Sequence, residues 1–402
     1  MKKKGVDQAI ILAAGKSTRT LPLTSGKPKA LLEVANQAII EHNLDSLQGL
    51  VKEALVVIGF EGHQIKQRIG HRRGLISVTY AEQLQQLGTA QALKCAESRA
   101  HDQFLVLMGD DLYAGSDVIK LLKHRQALLA QKVSDISQFG TVKEKGKVLA
   151  QITEKPKLTS EGYANTGCYM LGREVFSAIK GVKKSERGEF ELVDAINILA
   201  AKGKMAVEEA ENWHPITYPW SLLDANERLL AGLKPTVHGT VERGATMKGA
   251  VAVGKGTVIK AGSYIEGPVT VGSNCTIGPN CYVRAHSSIG DNCVVGNASE
   301  VKNSILMRGT HVGHLSYVGD SILGENVNLG ASTITANLRH DNKTVKSMLK
   351  GQLLDTGRRK LGAIIGDNVH TGIHTTIYPG RKIWPGQNTL PGEVVKRDIE
   401  AG

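Results

Sequence analysis

Two hydrophobic rhythms divide this chain. From Val241 an aliphatic residue or Met returns at every sixth position: Val241, Met247, Val253, Ile259, Ile265, Val271, Ile277, Val283, Ile289, Val295, Val301 and Met307. Gly often follows directly, as at Gly254, Gly272, Gly278, Gly290 and Gly296. The register slips by one and resumes at Val312, Val318, Leu323 and Leu329. After an interruption it returns at Ile365, Thr371, Ile377, Ile383, Thr389 and Val395. Neither an α-helix nor a simple strand has this period, but a parallel β-helix of hexapeptides does. Each unit forms one side of a triangular coil, its aliphatic residue inward and small residues at the corners. Cys275, Cys281 and Cys293 each follow an aliphatic position by four, where the repeat wants a small residue, and are read as buried hydrophobes.

The first half has a different rhythm. Strand-like runs at Ala9–Ala14, Ala54–Gly59 and Phe104–Met108 alternate with helical stretches such as Ile39–Gln48 and Ala90–Arg99, which predicts an α/β domain with a mostly parallel sheet. An amphipathic helix follows Pro219-Trp220 and is ended by Gly232 and Pro235, which sets a boundary between domains 1–234 and 235–402.

Composition narrows the function only a little. The net charge of +12 suits anionic ligands of any kind, while 4% aromatic residues are too few for a base-stacking nucleic-acid platform. The apolar run after Met1-Lys-Lys-Lys is six residues, too short for a secretory signal, and no run approaches a membrane-spanning length. Five Cys without a CxxC argue against a disulfide framework or a zinc site. A cytoplasmic protein without membrane or nucleic-acid partners is expected.

The chemistry begins at Leu12-Ala13-Ala14-Gly15-Lys-Ser-Thr-Arg19, a glycine loop after a strand, with Lys27-Pro28-Lys29 ten residues beyond. Backbone N–H groups of such a loop can approach a polyphosphate, and Arg19 and Lys29 add full charges. At this spacing the set resembles the sugar-1-phosphate nucleotidylyltransferases, with Ser17 where many members have a second Gly. The resemblance implies a Rossmann-like domain in which Gln83 and Gly88-Thr89 read a pyrimidine and Asp110, after Phe104–Met108, holds Mg²⁺. It further implies that Gly140, Glu154, Lys155 and Asn165 bind the sugar phosphate. Pro215 stands where the family usually has a second metal-ligating Asp or Asn, so either a local shift brings in another group or Asp110, the nucleotide phosphates and water hold the ion.

A second set lies in the repeats. Gly296–Lys302, Gly313-His314-Leu-Ser-Tyr317-Val-Gly-Asp320, Gly324–Ala331 and Thr335-Ala-Asn337 resemble the bifunctional glucosamine-1-phosphate acetyltransferase/N-acetylglucosamine-1-phosphate uridylyltransferase family. The likeness spans nearly the whole chain and implies a left-handed β-helix, UTP, an amino-sugar-1-phosphate and acetyl-CoA as substrates, and a homotrimer. Carried over by position, His314 is the general base, Arg284 and Lys302 bind the sugar phosphate, and Tyr317 and Asn328 line the acceptor site. Ala331, Asn337 and Lys343 fall near acetyl-CoA, and Glu300 is a candidate to orient His314. Ile373 and Pro391 replace small residues that the bacterial members use near the coenzyme. Residues 338–361 interrupt the repeat with a net charge of +5 between Arg339 and Lys360, a solvated loop or a phosphate-binding one. Gly357-Arg-Arg-Lys-Leu-Gly362 resembles archaeal-type members. The expected product is UDP-N-acetylglucosamine; the alternatives are a single-function nucleotidylyltransferase whose coil serves assembly or regulation, and a scaffold with decayed sites.

Overall fold

The computed structural model describes residues 6–154 and 159–400. Packing divides them into two compact units. One contains the N-terminal residues to Lys16, Gly26–Leu31 and Ala38–Pro215; the other contains Ser17–Ser25, Leu32–Gln37 and everything from Ile216.

The first unit is built on a ten-stranded mixed sheet. Strand Gln8–Ala13 lies parallel between Glu53–Ile58 and Gln103–Met108, and Ile76–Glu82 continues the parallel run. Beyond Gln103–Met108 the sheet turns antiparallel through the long strand Gly162–Gly172. The three central strands are apolar after their first residue because both faces are covered. Ile10 and Leu12 pack into one cluster, and Ala9, Ile11 and Ala13 into the opposite one. The expected helix over Ala90–Arg99 is shorter: an α-helix spans Thr89–Lys94 and a 3₁₀ turn follows at Glu97–Arg99.

The second unit is a parallel β-helix. Three sheets of eight, six and eight strands form its faces, opening at Thr236–Val237, Thr240–Val241 and Thr246–Lys248. Val253, Ile259, Ile265 and their successors fill the interior. From Thr240–Val241 each strand of the first coils pairs eighteen residues on, as Val283 does with Val301, while the opening strand pairs Val237 with Val253 at sixteen. Then Ile289 pairs with Leu306, seventeen residues on. The slip therefore falls between Val301 and Leu306, one unit earlier than the pattern suggested, and Leu306 takes the interior place assigned to Met307. A second five-residue side, Val318 to Leu323, keeps the next coil at seventeen.

Corners are not turned by small residues alone. Asn274, Asn280, Asn292 and Asn326 adopt positive φ there, a conformation Asn tolerates through its short polar side chain. The interruption appears as Ile322 pairing with Ile364, forty-two residues on, twenty-four more than an eighteen-residue coil. It is no free loop: it forms the hairpin Lys346–Leu349/Gln352–Asp355 and is sewn down by Ser347 Oγ to Gly380 O (2.8 Å) and by the buried Lys382 Nζ to Met348 O (2.6 Å). The helix Ser221–Ala231, placed by sequence with the N-terminal domain, packs with this unit. Its buried Asn226 accepts from Ala35 N (2.9 Å) and Ser288 Oγ (2.6 Å) and donates to His286 O (2.7 Å).

Candidate active sites

In the first unit, the candidate residues collect at the carboxyl ends of the parallel strands, where open α/β sheets bind ligands. Leu12 and Ala13 end their strand, and Ala14 and Gly15 continue beyond it. The Leu12 carbonyl accepts from Gly109 N (2.8 Å) and the Ala14 carbonyl from Phe60 N (3.1 Å), which ties the loop to both neighbouring strands. Gly109 must stay bare, since a Cβ there would lie 2.9 Å from Ala13 Cβ.

Directly after Gly109, Asp110 Oδ2 meets Lys29 Nζ at 2.8 Å, with Asp111 Oδ1 at 3.9 Å. Lys29 is 6% exposed and Asp110 40%, so a buried cation faces a carboxylate open to solvent. Asp111 is shared: its Oδ1 faces Lys29 while its Oδ2 accepts from the Trp213 indole (3.2 Å) and its carbonyl from Asn43 Nδ2 (2.8 Å). No group of three or more His, Cys, Asp and Glu suited to a metal occurs among the described residues. One exposed hard oxygen ligand fits Mg²⁺, which takes most of its shell from water and phosphate.

Gln83 is buried, and its amide donates to Gly88 O (3.1 Å). Gln83 also borders an open polar cavity of about 310 Å³ with Gly59, Glu61 and Gln86. Gly88 has φ +113, and Thr89 Oγ1 accepts from Leu192 N (2.9 Å). At the other side of the sheet, Asn165 N donates to Gly140 O (2.7 Å), and Glu154 Oε2 would lie 3.0 Å from a Cβ at Gly140. A register break between Asn165 and Tyr169 bends this strand, the kind of bulge that re-aims side chains beside sites. Gly140, Glu154 and Asn165 are thus brought together; Lys155 lies outside the described residues.

Arg19 belongs to the segment Ser17–Ser25 that groups with the second unit, exposed on the turn Thr18–Thr20. Ser17 has φ +50, which explains why glycine suits that position, and its carbonyl is held by Thr20 Oγ1 (2.8 Å) and Thr24 Oγ1 (3.0 Å).

The coil gathers part of the second set on its third face. Tyr282, Glu300 and Tyr317 are stacked neighbours there, and Lys302 pairs with Gly319. Lys302 Nζ reaches the buried Asp320 at 3.0 Å, and Asn337 Nδ2 bridges Tyr317 OH (3.1 Å) and Asp320 Oδ2 (2.5 Å). Arg284 pairs with Glu300 at 3.0 Å and lies over the Tyr282 ring. Glu300 therefore holds Arg284 through Oε1. His314 is exposed at the corner between the second and third faces, and its carbonyl accepts from Ser332 N (3.0 Å), next to Ala331 on the following coil. Asn328 is exposed on the second face, beside His311. Lys343 is exposed in the insertion, its amide on Asp341 Oδ1 (3.2 Å).

Comparison with known proteins decides the family. A nucleotidyl transferase model matches residues 8–232, and a model of the GMPPB C-terminal domain matches 265–388. The bifunctional protein GlmU of Methanococcus maripaludis (strain C7) is 45% identical over 98% of this chain and 95% of its own. The chain belongs to the bifunctional GlmU family. A second relative, the bifunctional sugar-1-phosphate nucleotidylyltransferase/acetyltransferase of Sulfurisphaera tokodaii, is 36% identical over 98% of both chains. Among solved structures, a Bacillus anthracis protein described as a glucose-1-phosphate thymidylyltransferase is 31% identical. It covers 55% of this chain and 94% of its own, with a TM-score of 0.51. A UDP-glucose pyrophosphorylase at 20% identity and TM-score 0.50 shares the fold of the same unit.

Two polar residues at these GlmU-type sites were missed by sequence reasoning. Arg187 Nη2 lies 3.3 Å from Glu154 Oε1 and 2.8 Å from Glu191, placing a guanidinium beside the candidate sugar residues. Its only signal was an Arg-Gly-Glu turn thirty-three residues away in sequence. Asp320 was quoted inside a motif without a role, although three side chains converge on it.

Proposed function

We propose that this protein makes UDP-N-acetylglucosamine in two steps, acetylating glucosamine-1-phosphate on the coil and then uridylylating the product on the N-terminal unit. The observation that carries this reading is the third face of the coil, where Arg284, Lys302, Tyr317 and Asn337 form one polar cluster. A coil that served only for assembly would need no such cluster.

In the first step the sugar amine attacks the thioester carbonyl of acetyl-CoA. The C–N bond forms, the C–S bond breaks, and the amine proton passes to His314 while CoA leaves as thiolate. Imidazole exchanges protons near neutral pH, and a positioned base contributes roughly 10²–10⁴-fold. Arg284 and Lys302 would hold the sugar phosphate. Asn328 lies on a different face from these residues, which supports a homotrimer in which neighbouring copies complete the acceptor and coenzyme sites with Ala331, Asn337 and Lys343.

In the second step a phosphate oxygen of the acetylated sugar attacks the α-phosphorus of UTP in line, and pyrophosphate leaves. The loop Leu12–Gly15, Arg19 and Lys29 would meet the triphosphate; Gln83, Gly88 and Thr89 the base; Gly140, Glu154, Lys155 and Asn165 the sugar. Stabilising developing charge is the main work in such transfers. Asp110 would hold Mg²⁺, which supplies charge neutralisation at the phosphates. Lys29, paired with Asp110 here, would then meet a phosphate, another anionic partner.

The test is release of CoA from acetyl-CoA with glucosamine-1-phosphate, and of pyrophosphate from UTP with N-acetylglucosamine-1-phosphate. His314→Ala should remove the first activity and spare the second, His311→Ala should do much less, and Asp110→Asn should give the opposite pattern. Pyrophosphate release without any CoA release would leave a single-function nucleotidylyltransferase.

A further inference from the structure

We infer that Asp320 is the positioning residue of the acceptor face, holding Lys302 ready for the sugar phosphate with Asn337 fixed beside it. The inference rests on the acetyltransferase reading and adds a residue to it. Asp320 turns the corner after the third face at φ +48, and its side chain is 3% exposed. Such a buried carboxylate is tolerated only when its oxygens are paired. Oδ2 accepts from Lys302 Nζ (3.0 Å) and Asn337 Nδ2 (2.5 Å), and Oδ1 from Asn303 Nδ2 (2.9 Å). Asn337 in turn donates to Tyr317 OH. One carboxylate thus links residues from successive coils that the acceptor face needs together.

The shortened coils explain why the link exists here. The five-residue sides Val301–Leu306 and Val318–Leu323 contain Asn303 and Asp320, which occupy equivalent corner positions at φ +45 and +48. Asp320 N donates to Lys302 O (2.9 Å), so the corner of one coil sits directly on the last. Lysine carries several rotatable bonds, and an unheld ammonium must be ordered by the ligand itself. Using one of its three N–H donors on Asp320 leaves two for a phosphate. The corner is also anchored from outside, because Asn303 Nδ2 reaches Glu227 Oε1 (3.0 Å) on the helix Ser221–Ala231, and Glu227 meets Arg358 at 3.4 Å.

Asp320→Asn is the decisive variant, since Asn keeps the size and accepts the positive φ. The expected result is a KM for glucosamine-1-phosphate raised tenfold or more, roughly the worth of a charge-assisted hydrogen bond, with kcat changed less than about threefold. Lys302→Met should raise KM similarly, and the double variant should be no worse than Lys302→Met alone, as expected of residues acting as one unit. Pyrophosphate release from UTP should be unchanged and reports a folded N-terminal unit, while the retained kcat for CoA release reports a folded coil. Asn303→Asp provides a second route: it sets a like charge beside Asp320 without touching Lys302, and should also raise KM, less so at acid pH. An unchanged KM in Asp320→Asn, or losses that multiply in the double variant, overturns the inference. Absence of CoA release by the wild-type protein instead overturns the acetyltransferase reading, and this inference with it.

Discussion

Gly88→Ala offers the sharpest test of the nucleotide site, because two separate costs can be worked out at one atom. Gly88 has φ +113 and ψ 175, a region that side chains other than glycine scarcely enter. A residue held there costs about 1–3 kcal/mol. The added Cβ would also lie 2.5 Å from Phe190 O and 2.7 Å from Phe190 N, backbone atoms that cannot rotate aside. Such overpacking costs a further 1–3 kcal/mol or so. The sum is about 4 kcal/mol, and the segment has one way to relieve it, by moving away from Phe190. That movement breaks Phe190 N to Leu87 O (2.8 Å) and Ala90 N to Phe190 O (2.9 Å), and carries off the Gly88 carbonyl that holds the Gln83 amide. The KM for UTP should rise between tenfold and a thousandfold in pyrophosphate-release assays, while CoA release stays near wild type. Gly146→Ala is the control: it has φ +62 but nothing within 4 Å of its Cβ, so it should cost only about 1 kcal/mol and leave both activities intact. If Gly88→Ala keeps its KM for UTP within twofold and unfolds in urea with Gly146→Ala, Gly88 does not shape the base site.

Asn226→Ala should destabilise the coil unit by about 2–4 kcal/mol, because it orphans the buried Ser288 hydroxyl at roughly 1–3 kcal/mol and the half-buried Ala35 amide and His286 carbonyl at less; loss of hydrogen-exchange protection at the Ala35 amide is the direct readout. Thiol titration of the native protein at pH 8 should label Cys95 at most, since Cys168, Cys275, Cys281 and Cys293 are buried and burial pushes each thiol up, Cys293 to about 12; all five should react in denaturant. Burial pushes the Glu41 carboxyl up, but hydrogen bonds from Arg68 and the Ala38 amide, with the Arg68 and Arg73 charges, hold it below its ordinary value. Its contribution is therefore present above the unfolded value and lost as pH falls through the folded one. Glu41→Gln should be less stable than wild type at pH 7, by urea unfolding, with the gap closing below about pH 4.

A hydrophobic period records, residue by residue, which positions face a core, so the sequence alone determined the coil, its interior column from Val253 to Val395 and the length of the insertion. The parallel strand ends and the glycine loop were legible for the same reason: a short apolar run followed by Gly and a charge is local information. The choice of polar partners was not local. Glu300 binds Arg284 on the neighbouring coil, Arg187 reaches Glu154 across thirty-three residues, and Asp320 gathers Lys302 and Asn303 from the coil before it and Asn337 from the coil after it. The Asp320 pairings also depend on register, which turned on one residue dropped between Val301 and Leu306, where Leu306 and Met307 are both apolar and the pattern fits either. Only the stacking of strands seventeen residues apart resolved that choice. The basic insertion shows the same limit, since its composition read as solvent or phosphate, yet its Arg358 is committed to Asp224 and Glu227 of a helix more than a hundred residues earlier. Burial follows from what a residue is; pairing follows from which residues the folded coil sets beside it.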